Sequence, residues 1–175
     1  MRYLLATISL GLSFGTINGT AAAEPVTIYE AMQQLRDREI QSVDGVSVLG
    51  DPLISGQIKG QGFRLRLTDC GDIDTGCKVT AFSACKTVAT FTRLQSLEMA
   101  NAYNNRDHPR GSMYVNNSND AGAVLCVRNR RLLQEEDRFD MSDVFDWQLT
   151  LRDFVEFVEA EETSDIVRSI MGASR

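Results

Sequence analysis

The chain has 175 residues, of which 43% are hydrophobic and 24% are charged, and it contains 13 Gly, 3 Pro and 4 Cys. This composition excludes a disordered, collagen-like or coiled-coil chain and is typical of one ordinary globular domain. The formal net charge of −6 at neutral pH argues against nucleic acid or an anionic membrane as the main partner, because both attract basic surfaces.

Residues 1–23 have the organisation of an export signal. Arg2 gives a cationic start, Leu4–Ile17 is free of charge, and Ala21-x-Ala23 fits the small-residue rule for cleavage. We therefore expect a mature chain that begins at Glu24 and lies in the periplasm or outside the cell. No later stretch approaches the roughly 18 apolar residues of a membrane span, so the sequence predicts no membrane span in the mature chain.

The first half of the mature chain is predicted to form a helix, a short strand and a hairpin. The helix is expected over Val26–Ile40, where Thr27 and Glu30 have the spacing of a capping box. A short strand at Val46–Leu49 and a loop follow. Two alternating runs then predict the central hairpin, with Phe63–Thr68 as one strand and Lys78–Phe82 as the other.

The four cysteines lie in and after this hairpin, at positions 70, 77, 85 and 126. An even number of cysteines in an exported chain predicts two disulfides, for which three pairings exist. Cys70 and Cys77 stand at the facing ends of the hairpin strands, so we expect them to pair, and Cys85 is then left to Cys126. The spacings between neighbouring cysteines match no usual pair of zinc ligands.

The second half is predicted to form a helix over Thr90–Asn105, strands at 112–115 and 121–130, and a long helix that begins near Ser142. After an acidic stretch, Asp165–Met171 is expected to form a separate short helix.

Hairpin connections between helices indicate an α+β fold, in which an antiparallel sheet of about five strands packs against helices. We expect the domain to cover 24–162 and a C-terminal tail to cover 163–175.

The last helix carries apolar residues outside its main apolar stripe, at Phe145, Leu149 and Phe157. A second apolar side predicts a surface for a protein partner, with Trp147 or Phe145 as its aromatic anchor. The alternative is a helix buried between the sheet and the tail, with Trp147 in the core.

Few residues point to catalysis or to metal binding. His108 is the only histidine, and it lies in a charged connector with no nucleophile motif. Asp69, Asp72, Asp74 and Asp120 lie in turns and offer oxygen ligands for calcium, but tight turns favour the same residue type. The sequence predicts a protein that is not an enzyme and holds no metal or cofactor. The alternative is a periplasmic metal- or ligand-binding protein or a hydrolase with an acidic site.

The segment Asn101-Ala102-Tyr103-Asn104, with Arg110 and Tyr114 after it, resembles the YbjN family, described as bacterial sensory-transduction regulators. Tyr103 stands where that family usually has Trp. The resemblance covers roughly Thr27–Val158 and implies a fold similar to type III secretion chaperones. Such proteins are often dimeric and bind other proteins, which implies an unidentified protein partner or a homodimer here. The export signal and the cysteines depart from the cytoplasmic members.

The same motif also has a structural interpretation. The amides of Asn101 and Asn104 lie near the end of the predicted second helix, where they can cap the helix or tie the following loop to the sheet. Tyr103 is expected to pack beneath them.

Overall fold

The computed structural model describes residues 25–71, 76–89, 91–107, 109–119, 122–134 and 137–172. The predicted export signal, His108 and most of the two acidic turns lie outside these ranges.

The described residues form three helices and six strands in one α+β unit. All neighbouring strands run antiparallel, in the order β1-β2-β3-β4-β6-β5. The predicted fold class, an antiparallel sheet packed against helices, is confirmed. The elements are α1 (Ile28–Asp37), β1 (Ser42–Val46), β2 (Pro52–Ile58), β3 (Gln61–Cys70), β4 (Cys77–Val88), α2 (Arg93–Asn104), β5 (Ser112–Asn119), β6 (Gly122–Leu132) and α3 (Met141–Gly172).

The sheet has six strands where about five were expected, because the segment after the first strand forms β2 and a hairpin with β1 and not a loop. The Ser47 hydroxyl accepts hydrogen bonds from the backbone N–H groups of Leu49 and Asp51, at 3.2 and 3.1 Å. This local bonding turns the chain at the place where Val46–Leu49 was expected to be a strand. Only Val46 of that segment belongs to β1.

The helices lie on one face of the sheet. Trp147 of α3 stacks on Phe82 of β4, with ring centroids 5.1 Å apart. Tyr103 of α2 meets Phe157 of α3 edge to face at 5.3 Å, and α1 packs against α3 and the β1–β2 hairpin. We call the opposite side of the sheet the open face, because none of the described helices covers it.

The core lies between the helices and the sheet. Ile54, Leu65 and Phe82 stand side by side in the strand register and are almost completely buried. Trp147, Leu151 and Phe154 of α3 cover them and are also buried. The recurrence of apolar residues at steps of three and four along α3 therefore identifies its core side correctly.

Both predicted disulfides are present, and each joins residues that are directly opposite in the sheet. Cys70 pairs with Cys77 at the end of the β3–β4 hairpin, and Cys85 pairs with Cys126 between β4 and β6. The α-carbons of the two pairs are 3.9 and 4.0 Å apart.

The predicted break before a short terminal helix is wrong, because α3 continues to Gly172. The acidic stretch consists of Glu and Ala, which are strong helix formers, and Thr163 donates its hydroxyl to the Glu159 carbonyl within the helix. The expected end of the domain at residue 162 therefore falls inside α3. Among the described residues, no helix combines the length and apolar character that a membrane crossing requires.

Each helix begins at a side-chain cap. In α1 the predicted capping box is present, with Thr27 and Glu30 bonded to each other's backbone N–H. Thr92 and Gln95 repeat this arrangement in α2, so that helix starts later than expected. For α3, Asp140 accepts hydrogen bonds from the backbone N–H and the hydroxyl of Ser142, at 2.7 and 2.6 Å.

The two disulfides are expected to contribute unequally to stability. The bonds close loops with sequence separations of 41 residues for Cys85–Cys126 and 7 for Cys70–Cys77. Because a disulfide restricts the unfolded chain, its removal should lower the free energy of unfolding. We expect a loss of about 4 kcal/mol for Cys85→Ala/Cys126→Ala and of about 2.5 kcal/mol for Cys70→Ala/Cys77→Ala. Urea unfolding measures both, and a larger loss for the short loop would contradict this order.

The cap of α3 predicts a pH dependence. Hydrogen bonds from the Ser142 side chain and from backbone N–H groups lower the pKa of Asp140. Asp140→Ala should therefore cost about 1 kcal/mol at neutral pH. Part of this contribution to the free energy of unfolding depends on the charge of the Asp140 carboxylate. It is fully present above the pKa of this group in the unfolded chain, about 3.9, and it is lost as the pH falls through the lower pKa of the folded state. Urea unfolding at several pH values measures the loss in the free energy of unfolding that Asp140→Ala causes. A loss that is the same at about pH 7 and at about pH 3 would contradict this assignment.

Candidate partner-binding site

A groove of about 410 Å³ runs along α3, between this helix and the turn that joins β2 to β3. We call it the α3 groove. Its helical wall contains two of the predicted partner-binding residues, Phe145 and Leu149. The remaining lining residues are Ile58, Lys59, Gln61, Gln148, Leu151, Arg152, Val155 and Glu156.

The spacing of the α3 sequence produces this wall. Phe145, Leu149, Arg152 and Glu156 follow at steps of three and four, and they therefore share one side of the helix. The stripe that contains Trp147 and enters the core lies on a different side of α3. The groove side thus combines two apolar residues with a charged pair, whereas the buried side is apolar.

Phe145 is the one aromatic residue among the described residues that line the groove. Its side chain is 43% exposed, and the Arg38 guanidinium lies 5.1 Å from the ring centroid. Leu149, one helical turn further on, is half-buried. These two residues place apolar surface on the helical wall of the groove, where a partner can cover it.

The other two predicted partner-binding residues lie elsewhere. Trp147 is completely buried and stacks on Phe82, which corresponds to the alternative interpretation of this residue as core. Phe157 faces α2, where it is half-buried against Tyr103 and under the Arg106 guanidinium, 4.9 Å from its ring centroid. Neither contributes to the α3 groove.

The rim of the groove is charged and carries both signs. Arg152 and Glu156 approach to 4.0 Å, but both side chains are mostly exposed, and such pairs contribute little to stability. Lys59 lies opposite them on the β2–β3 turn. The charged side chains of the rim can therefore leave each other and contact a bound partner with little loss of free energy.

The residues that carry the resemblance to the YbjN family do not form one site. Tyr103 is fully buried, and its hydroxyl lies 2.8 Å from the Arg110 carbonyl and 3.0 Å from the Asp153 carboxylate. Arg106 pairs with the same carboxylate at 2.6 Å and lies 4.0 Å above the Tyr103 ring. Burial and the neighbouring Asp153 raise the pKa of Tyr103 far above its usual value, so the phenol remains a hydrogen-bond donor.

Asn104 connects α2 to the edge of the sheet. Its amide donates to the Met113 carbonyl and accepts from the Met113 N–H, both at 2.8 Å. These bonds satisfy backbone groups of the edge strand β5, which pairs only with β6. Asn101 and Arg110 are exposed, and Tyr114 lies on the open face. The motif thus stabilises the α2–β5 connection.

The acidic turns give no site within the part of the chain that the structure describes. Of the four carboxylates, only Asp69 is described, and Asp72, Asp74 and Asp120 lie outside the described ranges. Among the described residues, no group of three or more His, Cys, Asp or Glu side chains is arranged to hold a metal ion. The acidic-site alternative stays a prediction.

Sequence reasoning missed the contribution of the β2–β3 turn. Ile58, Lys59 and Gln61 line the groove, whereas the segment that contains Ile58 and Lys59 was expected to be a loop. The available signal was Lys59-Gly60 between two apolar alternating runs, and both residues have positive φ, 51° and 81°. Such a pair is typical of a two-residue hairpin turn.

Comparison with known proteins leaves the family open. No protein-family model matches the chain, and no curated protein matches it significantly. The resemblance to the YbjN family therefore stays a prediction, and the functional argument rests on the residues of the groove.

Substitutions at two neighbouring aromatic residues distinguish surface from core. Trp147→Ala should lower the free energy of unfolding by about 3–5 kcal/mol, because it removes a fully buried ring. Phe145→Ser should change it by no more than about 1 kcal/mol, since this ring is partly solvated. Urea unfolding of both variants measures the contrast. A large loss for Phe145→Ser would assign this ring to the core.

Proposed function

We propose that this chain is an exported, non-enzymatic protein-binding module that holds an apolar segment of a partner protein in the α3 groove. The observation that carries the proposal is the position of Phe145 and Leu149 together in the helical wall of the groove. Aromatic side chains are enriched at the centres of protein interfaces, where they act as anchors. A mixed-charge rim around such an apolar centre is the usual anatomy of a binding surface.

An amphipathic helix is the partner element that best suits the groove. The wall from Phe145 to Glu156 is about 16 Å long, at 1.5 Å per residue, which corresponds to about three turns of a bound helix. Apolar residues of that helix would cover Phe145 and Leu149, and its flanking charges would meet Lys59, Arg152 and Glu156.

The proposed location outside the cytoplasm has two supports. The N-terminal residues have the pattern of an export signal, and two disulfides join the strands. Structural disulfides persist in oxidising compartments, such as the periplasm or the extracellular space. The similarity to the YbjN family agrees with a regulator or chaperone-like adaptor that binds proteins and does not turn over substrates.

Site-specific photo-crosslinking tests the groove directly. A benzophenone amino acid replaces Gln148, which lines the groove, and the tagged protein is expressed in the cells from which the chain comes. The matched control carries the same group at Leu94 on α2, which is 65% exposed and does not line the groove. We expect a defined adduct from position 148 that is absent from position 94 and is lost when Phe145→Ser is added.

The adduct identifies the class of partner by mass spectrometry. A crosslinked peptide from an amphipathic helix of another protein supports the proposal, and one from a second copy of this chain indicates a homodimer through the same groove. Equal adducts from both positions, or an adduct that survives Phe145→Ser, would contradict the groove as the binding site.

A further inference from the structure

Four arginines form a rectangle on the open face of the sheet. In the strand register, Arg64 of β3 is opposite Ser83 of β4, and Ser83 is opposite Arg128 of β6. Arg66, Ala81 and Arg130 repeat this arrangement two residues further along. We call the four arginines the arginine frame.

The frame encloses a shallow trough. Its floor consists of Ala81 and Ser83, whose side chains are small. Strand spacing places the two rows of arginines about 10 Å apart, and the two arginines of a row are separated by about 7 Å. Long cationic side chains therefore stand on both sides of a low, narrow strip of backbone.

Three of the four arginines have no ion-pair partner among the described residues, and only Arg66 has one. Arg66 forms a salt bridge with Asp51, and Arg128 lies 5.8 Å from the centroid of the Tyr114 ring. Arg64 and Arg130 are exposed and form no ion pair with any described residue. Among the described strand positions that alternate onto this face, none is Asp or Glu.

This charge is opposite to that of the chain as a whole, which is −6. The acidic residues concentrate on the other side of the molecule, along α3. The described acidic side chains of α3 are Asp143, Asp146, Asp153, Glu156, Glu159, Glu161 and Glu162. The fold thus separates a basic sheet face from an acidic helical face.

We propose that the arginine frame docks an extended acidic segment of a partner protein. Successive side chains of an extended segment point to opposite sides, and alternate ones are about 7 Å apart. Four consecutive Asp or Glu residues in the trough would thus meet the β3 row with two carboxylates and the β6 row with the other two. Arginine binds carboxylates through parallel hydrogen bonds, which suits this recognition.

The size of the frame favours a short acidic segment over a larger anionic surface. The neighbouring open-face positions include Leu53, Val124 and Leu132, which extend no basic surface beyond the rectangle. A membrane or a nucleic acid would extend beyond the rectangle, and there it would be repelled by the net negative charge of the rest of the chain. This site lies on the opposite side of the sheet from the α3 groove and is independent of the function proposed there.

Fluorescence anisotropy with the full exported protein tests the proposal. The probe is a labelled Gly-Ser peptide that contains four consecutive Glu residues, and the comparison peptide has Gln at those positions. We expect binding of the Glu peptide alone, with an affinity that decreases as salt is added. Arg64→Gln/Arg130→Gln should weaken this binding about tenfold.

A matched double variant controls for net charge. Arg36→Gln/Arg93→Gln removes the same two charges from exposed positions on α1 and α2 and should leave the affinity within about twofold. Phe145→Ser should also bind the Glu peptide normally, which separates this site from the α3 groove.

Three results would overturn the proposal. They are no binding of the Glu peptide by the wild-type protein, an equal loss in the control double variant, and tighter binding of phosphatidylglycerol vesicles or single-stranded DNA through Arg64 and Arg130.

Discussion

The stacking of Trp147 on Phe82 is the contact on which the rest of the structure depends. It holds α3 across β4, the strand that lies between β3 and β6 in the sheet. Phe63 packs against both rings, at 6.0 and 6.3 Å, so the three aromatic side chains join β3, β4 and α3. The rotation of α3 about its own axis is fixed by this buried ring. That rotation decides which of its remaining sides meets α2 and which one opens into the groove.

The one-sided arrangement of the helices explains why the molecule has two different surfaces. Antiparallel sheets commonly pack one face on a core and leave the other to solvent. In the middle of each central strand, every second side chain is apolar and points to the covered face. The side chains between them point to the open face. The open face carries the arginine frame beside apolar positions such as Leu53, Val124 and Leu132, while the acids follow the exposed sides of α3. Charge separation is therefore a consequence of the alternation of side chains along the strands.

Sequence patterns predicted the features that depend on nearby residues. The disulfide pairing of the hairpin ends, the Thr27–Glu30 capping box and the core stripe of α3 are set by spacings of 3 to 7 residues. The β1–β2 hairpin was missed because β1 is largely exposed, and a strand without a buried side has no apolar alternation to detect. The groove and the arginine frame depend on distant partners. Arg64-x-Arg66 and Arg128-x-Arg130 are visible in the sequence, but their position on both sides of β4 follows from the strand order.

The disulfide between β4 and β6 fixes the register of these two strands, and this register determines on which face the arginines of β6 lie. Cys85 and Cys126 lie one pair away from Ala84 and Val127, and two pairs away from Ser83 and Arg128. A slip of one residue in this pairing would turn every side chain of β6 to the other face. Arg128 and Arg130 would then enter the core, and the buried Val127 would leave it. Because the covalent bond fixes Cys85 opposite Cys126, it excludes that register, and the basic rows remain aligned on the open face.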